Sequence, residues 1–154
     1  MRRGTIGTIR MAAIPALALV LACATRTERI VAPPAAAPGV APALVVERFL
    51  HAANAKDFRT MGRLFGTREG PVLELYPAAE VEKRMFALAS VLRHDDYAIE
   101  GEMVAPGRTG EALRILVRLQ VGARSIPVPF TVVRTEDAGW LIEQFDIERI
   151  TAGT

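Results

Sequence analysis

The stretch ALRILVRLQV, residues 112–121, decides the fold. Leu113, Ile115, Val117, Leu119 and Val121 share one face, and Arg114, Leu116, Arg118 and Gln120 share the other. A period of two is that of a strand with one face on a core and the other turned toward polar surroundings. Just upstream, PGRTGE at 106–111 carries two glycines and reads as a turn. Before it, DYAIEGEMV at 96–104 reads as another strand. Downstream, residues 126–135 form a third long strand, where Pro127 and Pro129 lack the donor that a ladder needs and mark an edge or a bulge. Glu136 to Gly139 make a tight turn, and WLIEQFDIERI, 140–150, closes the sheet as a fourth strand. Turns this short join antiparallel neighbours.

Upstream of Arg93 the periodicity is helical. In ALVVERFLHAAN, 43–54, Val46, Phe49, Leu50 and Ala53 fall on one face, with Glu47, His51 and Asn54 opposite. His51 reads as a solvated residue of that polar face. Asp57 can cap a second short helix, DFRTMGRLF, that ends at Gly66. PVLELY, 71–76, reads as a short strand, and Pro77 suits the first position of a third helix. There Val81, Met85, Leu88 and Leu92 repeat at helical spacing, and Glu80 can pair with Arg84 one turn on. The expected fold class is therefore α+β: three helices, counted from the amino end of the domain, packed on an antiparallel sheet of about four long strands plus a short strand.

The amino end has a different character. Arg2, Arg3 and Arg10 precede a run of twelve apolar residues, Met11 to Ala22. This is the layout of a secretory signal, residues 1–22. A membrane-spanning helix needs about twenty apolar residues, and Pro15 weakens a long helix further. The run ends Val20-Leu21-Ala22-Cys23, which resembles the bacterial lipobox, with valine where leucine is usual and a bulkier residue at Leu21. The resemblance implies cleavage before Cys23 and acylation of its thiol, hence export and a lipid anchor in the membrane. An ordinary signal peptide cut near Ala22 or Ala24 is the alternative. Ala24 follows the cysteine where an aspartate would retain such a protein, which by the same resemblance implies the outer membrane, facing the periplasm, in a Gram-negative host. Cys23 is the sole cysteine, so no disulfide can form within the chain.

Residues 23–42 combine that cysteine with a segment rich in alanine and proline, including Pro33, Pro34, Pro38 and Pro42. Such a composition favours extended polyproline II and builds no core, so it suits a tether. Residues 43–150 are long enough for one small domain, and 151–154 form a tail. The chain has 19 basic against 17 acidic residues, but three of the basic ones lie in the signal, leaving 16 against 17. No basic run remains to track phosphates, so nucleic acid is not an expected partner.

The order of helices and strands in 43–150 resembles the nuclear transport factor 2-like superfamily, SnoaL-like domains included. Local resemblances are Phe49-Leu50 and Lys56-Asp57-Phe58 at the first helix and its turn, and Gly139-Trp140-Leu141-Ile142 opening the last strand. The resemblance implies a curved sheet wrapped around helices as a cone, with a pocket at the open end and frequent dimerisation through the sheet. It implies no particular reaction, because members range from isomerases, dehydratases and cyclases to domains without chemistry.

Absences narrow the chemistry. The serines are Ser90 and Ser125, neither in a GxSxG elbow, and His51 and His94 stand outside HExxH or CxxC spacing. No metal site and no cofactor are expected. The one polar cluster is His94-Asp95-Asp96-Tyr97. It reads either as an acid/base group built on His94, Asp96 and Tyr97 or as a polar helix-to-strand turn, with His94 favouring the helix dipole. Tyr76 and Trp140 either stack on a ligand or belong to the core. Arg114 and Arg118 either meet Glu143 across the sheet or bind an anion. Three functions follow as expectations. The first is a lipid-anchored module that binds a small apolar molecule or an envelope protein; the second is an acid/base isomerase, dehydratase or cyclase; the third is a structural homodimer.

Overall fold

The computed structural model describes residues 41–152. Their order is α1 (Pro42–Ala55), α2 (Phe58–Leu64), β1 (Gly66–Thr67), β2 (Gly70–Pro71), α3 (Val72–Leu75), α4 (Ala78–Val91), β3 (Asp96–Val104), β4 (Ala112–Val121), β5 (Arg124–Arg134), β6 (Trp140–Phe145) and α5 (Ile147–Thr151). The class is α+β, with helices and a four-stranded antiparallel sheet in the order β3-β4-β5-β6. β1 and β2 form a separate two-stranded ladder.

The alternation of β4 holds as read: Ile115, Val117 and Leu119 are fully buried, while Arg118 on the other face is exposed. The main core joins these to Ile126, Val128, Phe130 and Val132 of β5, Val46, Phe49 and Leu50 of α1, Met61 of α2, and Val81 and Met85 of α4. Phe130 stacks on Phe145 at 5.1 Å between ring centroids, and Phe49 lies against Phe65 at 5.9 Å. Burying a side chain of this size contributes about 1.5–3 kcal/mol, so these residues carry most of the stabilisation. On the opposite face Ala105, Ala112, Val133 and Leu141 form a small second cluster.

Pro127 and Pro129 sit inside β5, and the β4–β5 register runs unbroken across both. β6 pairs only with Phe130–Arg134, so the proline-bearing half of β5 has a strand partner on one side alone, with a single further bond from the Asp146 N–H to Pro129 O at 3.4 Å. This is the edge position that the missing donors require.

Two register shifts interrupt the sheet, one between Ile99 and Gly101 and one opposite Thr131/Val132. They leave Glu100 and Glu143 as the extra residues. Each pairs with an arginine: Arg118 holds Glu100, and Arg108, from the β3–β4 turn, holds Glu143. The pairing read from the sequence, Arg114 and Arg118 with Glu143, is therefore replaced: Glu143 takes Arg108 and Arg118 takes Glu100.

Two segments read as strand are helical in part. Residues 71–76 contribute only Pro71 to β2 and then wind into α3, with the Tyr76 N–H donating to Val72 O at 3.0 Å. A mostly apolar stretch of six residues fits a helical turn as well as a strand. Here Pro71 suits the helix start, and Val72 is buried while Glu74 and Leu75 are exposed. The fourth strand ends at Phe145, because Asp146 caps α5 by accepting from the Arg149 N–H at 3.2 Å.

Candidate functional site

α1 ends where Lys56 takes the left-handed conformation, φ 56° and ψ 32°. Lys56 is the one non-glycine residue with positive φ among those described. Its N–H donates to Ala53 O at 3.1 Å, which closes the helix. Asp57 then caps α2, its carboxylate accepting from the Thr60 N–H at 3.0 Å and the Thr60 hydroxyl at 2.6 Å. These bonds hold the Asp57 carboxyl below the usual carboxylate range.

Across from this turn, α4 ends at Leu92, and Arg93–Asp95 lead into β3. His94 is only 8% exposed. Its Nδ1 lies 2.7 Å from Leu92 O, which can only accept, so the ring proton sits on Nδ1. Nε2 is then an acceptor, and the Asn54 amide donates to it at 3.2 Å and to the His94 backbone carbonyl at 3.0 Å. Both ring nitrogens are therefore engaged. The Asp95 carboxylate accepts from the Gly122 N–H at 2.7 Å, which ties this loop to the β4–β5 turn.

Tyr97 packs edge-on between two imidazoles, 5.7 Å from His94 and 5.7 Å from His51, ring centroid to centroid. Its hydroxyl is hydrogen-bonded to His51 Nε2 at 3.1 Å. Burial, then the charges of Glu47 and Asp96, push its pKa above the ordinary tyrosine value, so the phenol keeps its proton at neutral pH. The Asp96 carboxylate accepts from the Tyr97 N–H at 2.8 Å and points to solvent. The structure thus brings His94 and Tyr97 together and adds His51 and Asn54. It places Asp96 as a cap on its neighbour's backbone, with no hydrogen bond to His94.

Beside this cluster an open cleft of about 660 Å³ is lined by Asn54, Lys56 and Phe58 on one side and by Phe86, Ser90 and Arg93 on the other, with His94 and Asp95 at its end. Phe58 and Phe86 meet edge-to-face at 5.9 Å, and Phe86 is 59% exposed. A second cleft, about 530 Å³, shares Ser90, Arg93, His94 and Asp95 and continues to Arg124 and Ile150. No strand residue lines the first cleft.

Tyr76 and Trp140 line neither cleft. Tyr76 is 44% exposed beneath the Arg84 guanidinium, 4.9 Å from its ring centre. Trp140 is half-buried against the main core at the start of β6. Among the described residues, no group of three His, Cys, Asp or Glu side chains is placed to hold a metal ion. No helix among them is long and apolar enough to cross a membrane. Cys23 lies outside the described residues.

Sequence reasoning found His94 and Tyr97 because they are adjacent in the chain. It missed Asn54, Lys56, Phe58, Phe86 and Arg93 as a group, since they come from three separate segments. One local signal was available: ANAKD, 53–57, offers no glycine at the end of a helix that needs a left-handed residue. No family model matches the chain, and no curated protein matches it.

Proposed function

We propose that this chain is an exported envelope protein, anchored by a lipid on Cys23, whose residues 43–150 form a nuclear transport factor 2-like domain that binds a small molecule. The order of helices and antiparallel strands supports the family, and the two bulges supply the bending that a cone-like sheet needs. The anchor rests on the basic start, the short apolar run and Val20-Leu21-Ala22-Cys23.

The observation that carries the binding function is the cleft between the α1–α2 turn and α4, which leaves Phe86 exposed to solvent beside the half-buried Phe58. Its volume falls within the roughly 300–1,000 Å³ of small-molecule sites. A ligand in the cleft would cover the exposed Phe86 ring and remove its apolar surface from water. A binding module fits this site better than an acid/base enzyme. A general base needs a free lone pair within reach of substrate, and His94 has both ring nitrogens occupied.

Two experiments test the two halves. Metabolic labelling with an alkyne fatty acid labels the wild-type protein in its host and leaves Cys23→Ala unlabelled; equal labelling overturns the anchor. Phe86→Ser removes the exposed ring from the surface and abolishes ligand retention without lowering the melting temperature; unchanged retention overturns the cleft.

A further inference from the structure

Resting on the cleft reading above, we infer that its ligand is an amphipathic monocarboxylate, held by Lys56 and Arg93 at its charged end and by Phe58, Phe86 and Ala89 along its apolar body.

Charge is the first ground. Lys56 and Arg93 line the cleft, and neither side chain forms an ion pair or hydrogen bond within the described residues. Arg68, Arg84, Arg108, Arg118 and Arg149 each hold a carboxylate. Other surface cations such as Arg59 and Lys83 also form no ion pair within the described residues, and what sets Lys56 and Arg93 apart is that both line the same cleft. The only acid lining the cleft, Asp95, already accepts from the Gly122 N–H. Cations outnumber acids by one, which matches a single negative charge. A doubly charged phosphate would find no further cation there.

Backbone strain at Lys56 is the second. Left-handed backbone suits glycine or asparagine, and residues held there against their preference gather at functional sites. A glycine would close α1 with less strain, but it would take the ammonium group out of the cleft.

The third is the division of the lining. Phe58, Phe86 and Ala89 supply an apolar wall, while Lys56, Arg93 and Asn54 supply the polar one. A molecule with one charged end and an apolar body satisfies both at once, whereas a sugar or an inorganic anion leaves the rings uncovered.

The test uses the full chain in lipid nanodiscs, with empty nanodiscs as the blank, and two probes of one shape: 4-phenylbutanoate and 4-phenylbutanol. Calorimetry and saturation-transfer NMR read binding for wild type, Lys56→Asn, Arg93→Gln and Phe86→Ser. The acid binds wild type about tenfold more tightly than the alcohol, the size of one charge-assisted hydrogen bond. Lys56→Asn and Arg93→Gln each remove that preference, and Lys56→Asn melts at the same or a higher temperature because asparagine accepts the left-handed backbone. Equal affinity of acid and alcohol for wild type overturns the carboxylate inference and leaves the cleft standing. Binding of neither probe, or binding unaffected by Phe86→Ser, overturns the cleft reading and the inference with it.

Discussion

Asn54 holds His94 at two points, its amide donating to the imidazole Nε2 at 3.2 Å and to the backbone carbonyl at 3.0 Å. The contact joins the end of α1 to the loop that leaves α4, forty residues further along the chain. It fixes the two walls of the cleft relative to each other and supplies the donor for Nε2 of a buried histidine whose Nδ1 proton is held by Leu92 O.

Asn54→Ala deletes both bonds and leaves Nε2 of a buried ring without its donor. The expected loss is about 1–2 kcal/mol of unfolding free energy, measured by urea denaturation. The same variant loosens the cleft, so backbone amide exchange at Arg93–Asp95 quickens. A change in exchange confined to α1 would separate Asn54 from the cleft.

Lys56→Gly relieves the left-handed residue at the end of α1 and raises stability by about 0.5–1 kcal/mol. The same denaturation measurement checks it. A loss of stability would mean that the lysine stem packs in a way that outweighs its backbone strain.

Asp57 links pH to the start of α2. Its folded pKa is depressed, first by the Thr60 hydroxyl and then by the Thr60 N–H. A depressed carboxylate stabilises the fold fully above its unfolded value, about 3.9, and that contribution drains away as pH falls through the lower folded value. Wild type therefore exceeds Asp57→Asn in stability at neutral pH, and the gap closes in acid. Thermal melts of both proteins across that range measure it, and a gap that stays constant with pH contradicts the cap.

Gly66 tests the β1–β2 ladder. A Cβ there would run into the Gly70 carbonyl and come within 2.9 Å of Pro71 Cα, both backbone atoms with little room to move. Gly66→Ala should cost about 1–3 kcal/mol as an overpacked site. A neutral result in a melting experiment would mean that the ladder is free to open.

The four-stranded antiparallel sheet was readable because its signal is local. Ile115, Val117 and Leu119 alternate with Arg114, Leu116 and Arg118, and glycine-bearing turns flank them. Asp57 was readable as a cap for the same reason. α3 and α5 were not. VLEL is too short for periodicity to separate helix from strand, and the strand reading of 140–150 ran through Asp146, whose capping bond to Arg149 ends β6. The site was legible only in part. His94 and Tyr97 are sequence neighbours, but the contacts with Asn54 and His51 depend on where α1 lies against β3. The cleft likewise needs three segments in register, which no window of sequence holds.

The most direct test is native mass spectrometry of the protein released from its host envelope in a mild detergent. The predicted spectrum shows a chain beginning at Cys23, heavier by its acyl groups, with a fraction carrying one small carboxylate. A full-length unacylated chain contradicts the anchor, and an acylated chain that never carries a ligand contradicts the binding function.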